Sequence, residues 1–311
     1  MLATRRRQSG KRSRNLVAAL PFVLPGLILV SVFIIVPMVF TIRISLSTYD
    51  IVEHTITFTG IVNYINVLTD SAGMFWLAYR NNFMYAIVTV PFIVMGGMIF
   101  SYLINNLRRG KMLFRVGFYL PVITSWVIVS LVFYYLFSNG ENGLFNYLLV
   151  DVFHVLNDYV TWLDLEWPAN AALWIMGIWK NIGWSVLIFL AALQTIPKDL
   201  YEASELDGAG GWRKFRYITI SCVKPTTYYV LVQSIIGAFN VLIQVLMLTQ
   251  GDPSGATSTL QYLLFDQAFN QFNFGEASAV GLIAAVTIVV LTFILNKLLK
   301  LDQSDRGIVD L

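Results

Sequence analysis

Polar and aromatic side chains interrupt two otherwise apolar stretches in the second half of this 311-residue chain. In the first stretch, Lys180, Asn181 and Trp184 combine a cation, an amide that can hydrogen-bond hydroxyl groups and an indole that can stack on an apolar ring face. The second stretch carries three amides on one helical stripe, Gln233, Asn240 and Gln244, with Ser234 and Gly237 beside it. Because amides in an apolar medium need partners, the two stretches predict a binding surface for a hydroxyl-rich solute.

Lys180 is the one charged residue in its stretch. Counted from Ala171 at about 1.5 Å per residue, it lies roughly 13 Å inside the stretch. Exposing a lysine to lipid at this depth costs about 3 kcal/mol or more, so the side chain is expected to face the interior of a helix bundle. Two interpretations stay open: the amides could tie helices together, and Lys180 could belong to a structural ion pair.

A polar segment, YEASELDGAGGWRKF at residues 201–215, separates these two stretches. Pro197 ends the preceding helix, Asp199 is placed to cap a new one, and Glu202 follows three residues later as in a capping box. The pattern predicts a short helix over about residues 200–206.

Three glycines then predict the end of that helix and a tight turn: Gly208, Gly210 and Gly211. Trp212 and Phe215 stand about one helical turn apart at the start of a second short helix. The segment is therefore expected to form a compact protrusion with aromatic and charged groups.

The segment resembles the EAA loop of bacterial ABC importer permeases, in particular the sugar permease group that includes the larger maltose permease subunit and related sugar and glycerol-phosphate permeases. The resemblance rests on residues at the spacing of that motif: Glu202, Ala203, Ser204, Asp207, Gly208, Ala209 and Ile218. The family pattern usually ends in a proline, where this chain has Ser221, with Pro225 four residues later. Similarity to the family extends over nearly the whole chain.

The resemblance implies that residues 197–221 form a coupling loop, which docks into a groove on a separate ATPase subunit. Glu202 would pair with basic or donor groups there, Leu206 and Trp212 would supply apolar docking area, and Asp207 and Gly208 would shape the turn. The full expected coupling set is Glu202, Ala203, Ser204, Leu206, Asp207, Gly208, Ala209, Trp212 and Phe215. The two polar stretches correspond to the helix segments that line the sugar site in the maltose permease, and Ser234 matches most directly.

The composition requires a membrane as the solvent, since 57% of the residues are hydrophobic and 13% are charged. Six runs offer about 20 residues, which is enough to cross the hydrocarbon core. They are Leu16–Ile42, Asn81–Asn106, Val116–Phe137, Ala171–Leu193, Pro225–Gly251 and Ala277–Asn296. The expected fold is an all-α polytopic membrane protein with six transmembrane helices and a cytoplasmic coupling loop, and the resemblance implies the type I ABC importer architecture.

Lysine and arginine cluster in four regions: before the first run, between runs two and three, in residues 197–224 and in the C-terminal tail. The loops 138–168 and 252–276 carry neither residue. Because retained cations mark the cytoplasmic side, both termini are expected to be cytoplasmic. The expected organisation is a basic tail (1–15), a permease domain (16–300) and a second tail (301–311), in the inner membrane of a bacterium.

Several function classes fit the chain poorly. Cys222 is the single cysteine, and His54 and His154 are isolated on predicted outer loops, so no metal site is expected. The net charge of +3 reflects the loop asymmetry and gives no indication of nucleic-acid binding. An ion-coupled carrier would need carboxylates within its spans, and the six runs contain none. A membrane enzyme would need a catalytic constellation, for which no nucleophile and base are present.

The sequence also lacks the G-x-x-x-x-G-K-[ST] loop that binds nucleotide phosphates, so ATP and magnesium are expected on partner ATPase subunits, with no cofactor on this chain. The resemblance implies a complex with a second, homologous permease, two ATPase subunits and an extracytoplasmic solute-binding protein. The expected function is ATP-driven import of a carbohydrate or polyol by alternating access. An anionic solute, such as a uronate oligosaccharide or glycerol phosphate, is the alternative that Lys180 suggests.

Overall fold

The computed structural model describes residues 21–50, 55–107 and 109–298, and most of them are helical. The helices in chain order are α1 (Pro21–Ser45), α2 (Val62–Leu68), α3 (Met74–Asn106), α4 (Lys111–Ile123), α5 (Trp126–Leu136), α6 (Glu166–Gln194), α7 (Lys198–Leu206), α8 (Gly211–Arg213, continued by Lys214–Thr219 and Ile220–Cys222), α9 (Lys224–Phe239), α10 (Ile243–Leu248), α11 (Leu260–Phe265, continued by Asp266–Asn270) and α12 (Phe274–Leu298). The predicted tails at 1–15 and 301–311 lie outside the described residues.

One feature departs from the expected all-α fold. A two-stranded antiparallel hairpin, β1 (Ser47–Asp50) and β2 (Thr55–Phe58), follows α1, with Thr48 opposite Thr57. The main-chain amides of residues 59 and 60 also bond to the carbonyl oxygen of Leu46, which ties the hairpin to the end of α1. Three short helical turns, Gly140–Asn142, Leu144–Asn146 and Tyr147–Val152, connect α5 to α6.

The core lies between the two longest helices, α3 and α6, which pack against each other more extensively than any other described pair. Phe189, Met176 and Leu173 of α6 are almost completely buried there. Helix α9 packs on α3, α4 packs on α6, and α10 packs on α5. Helix α12 contacts α1 and α11 at one side of this core. Most of α1 is exposed and apolar, as expected for a surface that faces lipid.

The six predicted spans are not all single helices. Among the described residues, α1, α3, α6 and α12 are long and apolar enough to cross a membrane. The predicted third span is a pair of helices, α4 and α5, which meet at a bend of 96°. If this pair counts as one span, the number of candidate membrane spans among the described residues rises to five. The predicted fifth span is divided into α9 and α10 by a break at residues 240–242. The count of six is therefore not confirmed.

The break between α9 and α10 leaves backbone groups that need partners at membrane depth. Asn82 of α3 donates from its amide to the carbonyl oxygen of Ala238 at 2.8 Å. The Thr259 hydroxyl donates to the carbonyl oxygen of Val241 at 2.5 Å. The amide of Asn240 donates to the carbonyl oxygen of Ile236 at 2.8 Å. Two side chains from other segments and one from the break itself therefore stabilise the break as a defined part of the fold.

Helices α4 and α6 approach closely at Gly183. A Cβ atom at this position would lie 1.9 Å from the carbonyl oxygen of Phe118, which is a backbone atom that cannot rotate away. We expect Gly183→Ala to lower the free energy of unfolding by about 1 to 3 kcal/mol, because overpacking forces the helices apart. Thermal unfolding of the purified protein measures this. Gly117→Ala on α4 is the matched control, since a Cβ there meets nothing within 4 Å; equal loss in both variants would contradict the proposed cause.

Candidate solute cavity and coupling loop

A cavity lies between six helices, and its volume of about 530 Å³ is within the range of small-molecule binding sites. Its wall includes residues of α3, the bend between α4 and α5, the middle of α6, and α9 with α10 and the break between them. All eight positions that the sequence suggested for solute contact border this one cavity: Lys180, Asn181, Trp184, Gln233, Ser234, Gly237, Asn240 and Gln244. Their contact with a solute stays a prediction.

The sequence did not suggest the other lining residues, which are Tyr85, Thr89, Ile93, Val122, Trp126, Tyr229 and Ala238. A signal existed for some of them. Tyr85 and Thr89 lie four residues apart on α3, and Tyr229 lies four residues before Gln233, so each extends a polar stripe at helical spacing. Ile93 and Val122 are ordinary apolar residues of a span, and no property of the sequence distinguishes them.

Aromatic rings from four helices contribute to the lining of the cavity. The rings of Trp184 and Tyr229 lie 6.1 Å apart between centroids, with their planes tilted by 44°. Tyr85 and Trp126 add two more rings. Such surfaces offer flat apolar area with polar edges, which suits a ligand with one apolar face and many hydroxyl groups.

Lys180 is 6% exposed, as its depth in the apolar stretch predicted. Its Nζ donates hydrogen bonds to the carbonyl oxygens of Pro121 at 2.8 Å and Thr124 at 2.6 Å, with a longer bond of 3.3 Å to Val122. The ammonium group also lies 4.8 Å from the centroid of the Trp126 ring. Lysine thus caps the C-terminal end of α4, where a cation stabilises unpaired carbonyl groups.

The polar side chains of the cavity divide into those that already form hydrogen bonds and those that do not. Asn181 donates to the carbonyl oxygen of Gly177 in its own helix at 2.8 Å, and Asn240 accepts a bond from Gln261 at 3.0 Å. The polar groups of Gln233, Ser234 and Gln244 form no hydrogen bond with the described part of the chain. Their positions on the wall leave these three side chains free to bind a ligand.

The first helix of the coupling loop begins about two residues earlier than the sequence predicted. Helix α7 starts at Lys198, with Pro197 as its N-cap residue, and no side chain caps it. Asp199 lies in the first turn, where its negative charge interacts favourably with the positive end of the helix dipole. Since Asp199 lies inside the helix and forms no capping bond, its predicted capping role is wrong. The extended conformation of Pro197 itself fixes the start of the helix.

The end of α7 is a Schellman motif built on Gly208. The N–H of Gly208 bonds to the carbonyl oxygen of Glu205 at 3.0 Å, and the N–H of Ala209 bonds to that of Ser204 at 2.9 Å. Gly208 has a φ of +72°, which confirms the predicted left-handed turn. Gly210 has a φ of −68°, so the glycine run supplies one left-handed residue in this turn.

One contact holds the two short helices of the coupling loop together, and a second fixes the loop to the helix bundle. The Tyr201 hydroxyl of α7 and the Thr219 hydroxyl of α8 lie 3.0 Å apart, which joins the two short helices. The rings of Phe215 in α8 and Tyr102 near the end of α3 lie 4.7 Å apart. Burial raises the pKa of the Tyr201 phenol, so this group remains a neutral hydrogen-bonding partner at physiological pH. The loop is therefore linked to the same helix that lines the cavity.

The outer surface of the coupling loop carries exposed apolar groups beside charged ones. Leu206 is 91% exposed and Trp212 is 71% exposed. Glu202 and Ala203 of α7 are exposed as well, while Lys214 and Glu205 form an ion pair across the turn. Large exposed apolar side chains that are surrounded by charged residues are typical of a surface that binds another protein.

The described residues contain no group of three or more histidine, cysteine or acidic side chains that could hold a metal ion. His154 bonds through Nδ1 to the carbonyl oxygen of Val150, and His54 lies outside the described residues. Cys222 is a free, exposed thiol at the end of α8.

The fold is a helical membrane bundle in which a broken helix borders a polar cavity and a loop packs on one end. This combination is typical of a polytopic transport subunit. The sequence profile of the family described as "Binding-protein-dependent transport system inner membrane component" matches residues 81–302. The chain belongs to this family, and it is therefore a permease subunit of an ABC importer in the membrane, not an enzyme in itself.

Several named relatives support this assignment. The trehalose/maltose transport system permease protein of Thermococcus litoralis is 32% identical over 275 residues, covering 88% of this chain and 91% of the relative. The arabinooligosaccharides transport system permease protein of Halalkalibacterium halodurans is 30% identical, covering 89% and 87%. The lactose transport system permease protein of Rhizobium radiobacter is 29% identical, covering 94% and 97%.

Solved structures show the same fold. A chain of a bacterial ABC transporter involved in the import of the acidic polysaccharide alginate has a TM-score of 0.79 and 22% identity, covering 95% of this chain and 98% of that one. A second structure, an alginate transporter in complex with a periplasmic protein bound to an alginate pentasaccharide, has a TM-score of 0.77 and 21% identity. At this identity the likeness concerns the fold, which is that of the type I importer permeases.

Proposed function

We propose that this chain is one permease subunit of an ATP-driven, binding-protein-dependent importer that carries an oligosaccharide or related polyol by alternating access. The observation that carries the proposal is the cavity, where amides, a hydroxyl group and aromatic rings from separate helices face one space. Hydrogen bonding with ring stacking is the chemistry that recognises sugars. The named relatives transport arabinooligosaccharides, lactose, trehalose or maltose, which supports the same class of cargo.

In the proposed mechanism, the coupling loop inserts into an ATPase subunit, and Leu206 and Trp212 provide the apolar contact. Closure of the ATPase subunits pushes on α7 and α8. The Phe215–Tyr102 contact transmits the movement to α3, and residues in the middle of α3 line the cavity. A rigid connection between the loop and a cavity helix is what alternating access requires.

The remaining parts of the proposed complex follow from what this chain lacks and from its neighbours. ATP and magnesium would bind the ATPase subunits, because the sequence has no phosphate-binding loop. A homologous permease would complete the open side of the cavity, and an extracytoplasmic binding protein would deliver the sugar, as a periplasmic protein is part of one solved neighbour. The coupling loop and both termini would face the cytoplasm.

Cross-linking tests the proposed docking surface. In a Cys222→Ser background, we expect Ala203→Cys on the exposed face of α7 to cross-link to an ATPase subunit with a short reagent, in membranes that contain the whole importer. The matched control is Ala72→Cys, which is exposed at the opposite end of α3, roughly 50 Å away for a 33-residue helix. Cross-linking to the ATPase at position 72, or its absence at position 203, would contradict the proposal.

A further inference from the structure

The cavity wall contains one charged side chain, Lys180, and the hydrogen-bonding capacity of its ammonium group is already used. An ammonium group has three donor hydrogens. Lys180 directs them at three carbonyl oxygens, and the Trp126 ring covers another side of the group. No donor hydrogen of Lys180 is left for a solute.

The bend between α4 and α5 explains why these bonds are needed. The chain turns by 96° there, and the turn leaves carbonyl groups at the end of α4 without helical partners. An unpaired carbonyl group costs free energy in a membrane, and a cation at a helix C-terminus is especially favourable. An anionic solute that drew the ammonium group away would therefore leave three carbonyl oxygens without their donor.

The free polar groups of the cavity are neutral. Gln233, Ser234 and Gln244 each offer both a donor and an acceptor, which matches a sugar hydroxyl group that donates and accepts. A carboxylate or phosphate accepts only, so it could use the donors of these groups but would leave their acceptors unpaired, and it would lose its hydration without gaining an opposite charge.

Resting on the proposed function, we propose that this subunit's part of the pathway selects uncharged carbohydrates over uronates and sugar phosphates, and that Lys180 serves as a cap for the α4–α5 bend with no solute contact. The preference arises from the absence of an uncommitted cation among the described residues that line the cavity. The alternative is that Lys180 leaves its carbonyl partners and binds an anionic sugar.

The test uses the assembled importer in nanodiscs without the solute-binding protein, so that the receptor's own selectivity does not contribute. The probes are a panel of neutral tetrasaccharides and uronate tetramers matched in linkage and length, such as tetragalacturonate and its carboxyl-reduced form. Quenching of tryptophan fluorescence reports binding, since Trp126 and Trp184 line the cavity. We expect the neutral member of a pair to bind about tenfold or more tightly. Equal or tighter binding of the uronate would overturn the inference.

Two variants separate the proposed role of Lys180 from anion recognition. For Lys180→Met, we expect the affinities for both probes to fall together, so that their ratio changes by less than about twofold. Loss of a true ammonium–anion contact would instead lower the affinity for the uronate alone, by about tenfold or more. If Lys180→Met fails to assemble, Gln233→Lys decides. It places an uncommitted ammonium group on the exposed cavity wall, and we expect uronate affinity to rise about tenfold.

Each outcome has a defined meaning. An unchanged uronate affinity in Gln233→Lys would contradict the claim that the missing free cation sets the preference. Binding of neither class of probe, in a complex that still hydrolyses ATP, would contradict the proposed carbohydrate function itself and remove the basis of the inference. Selective loss of uronate binding in Lys180→Met would leave the carbohydrate function intact and overturn the role given to Lys180 alone.

Discussion

Gly208→Val is expected to abolish ATP-driven uptake while the protein still inserts into the membrane. A Cβ at position 208 meets nothing within 4 Å, so the defect would come from the backbone: a φ of +72° is strongly unfavourable for a β-branched residue, by about 1 to 2 kcal/mol or more. Relief of this strain would unwind the Schellman motif and displace Leu206 from the docking surface. Uptake and co-purification of the ATPase subunits are the two measurements.

Two matched variants identify the backbone as the cause. Gly208→Asn should retain most uptake, because asparagine adopts the left-handed conformation more readily than other residues with a side chain. Gly210→Ala should behave like the unmodified protein, since its φ of −68° suits alanine and a Cβ there meets nothing. Full uptake by Gly208→Val, or equal defects in Gly210→Ala, would contradict the role of the turn.

Gly237→Trp is expected to produce the second large effect, a loss of uptake of more than about tenfold, which corresponds to a barrier higher by about 1.4 kcal/mol. Gly237 lies on the cavity wall, is exposed, and has no atom within 4 Å of an added Cβ, so a large side chain fills the cavity without distorting the helix. The ATPase subunits should stay bound, because the coupling loop lies outside the cavity.

The control for the filled cavity is a series of substitutions of increasing size at position 237. Gly237→Ala should transport normally, and Gly237→Leu should fall between alanine and tryptophan, so that loss of uptake follows the volume of the side chain. Uptake is measured in proteoliposomes together with ATP hydrolysis. Normal transport by Gly237→Trp would show that the solute takes another path, and the proposed role of the cavity would be wrong.

The cavity residues of the second half of the chain could be predicted because helical spacing carries the information. Gln233, Asn240 and Gln244 lie on one stripe with Gly237 beside it, and all four line the same cavity even though the helix breaks at residues 240–242. The break itself had no local signal. It depends on Asn82, 156 residues from Ala238, and on Thr259, so the stabilising groups are distant in sequence.

Lys180 illustrates a different limit. Its burial could be predicted from its depth in an apolar stretch, because a charge there must face protein. Its partners could not be predicted, since they are backbone carbonyls that become available only where α4 and α5 bend, 56 to 59 residues earlier in the chain. Lys180, whose charge suggested an anionic solute in the sequence, thus stabilises the α4–α5 bend in the structure.

The turn after α7 shows the opposite case, where the signal is local. A left-handed residue favours glycine or asparagine, so Gly208 predicted the turn correctly, whereas the predicted cap at Asp199 failed because the helix starts two residues earlier, after the extended Pro197. Short-range backbone geometry was therefore readable from sequence to within about one or two residues.

The most direct test of the central claim is uptake of labelled oligosaccharide by proteoliposomes that contain the two permease subunits and the binding protein, with and without the ATPase subunits. The account predicts accumulation only when the ATPase subunits and ATP are both present, and no accumulation for Gly208→Val in the same vesicles. Accumulation by the permease subunits alone, driven by the sugar or an ion gradient, would contradict it.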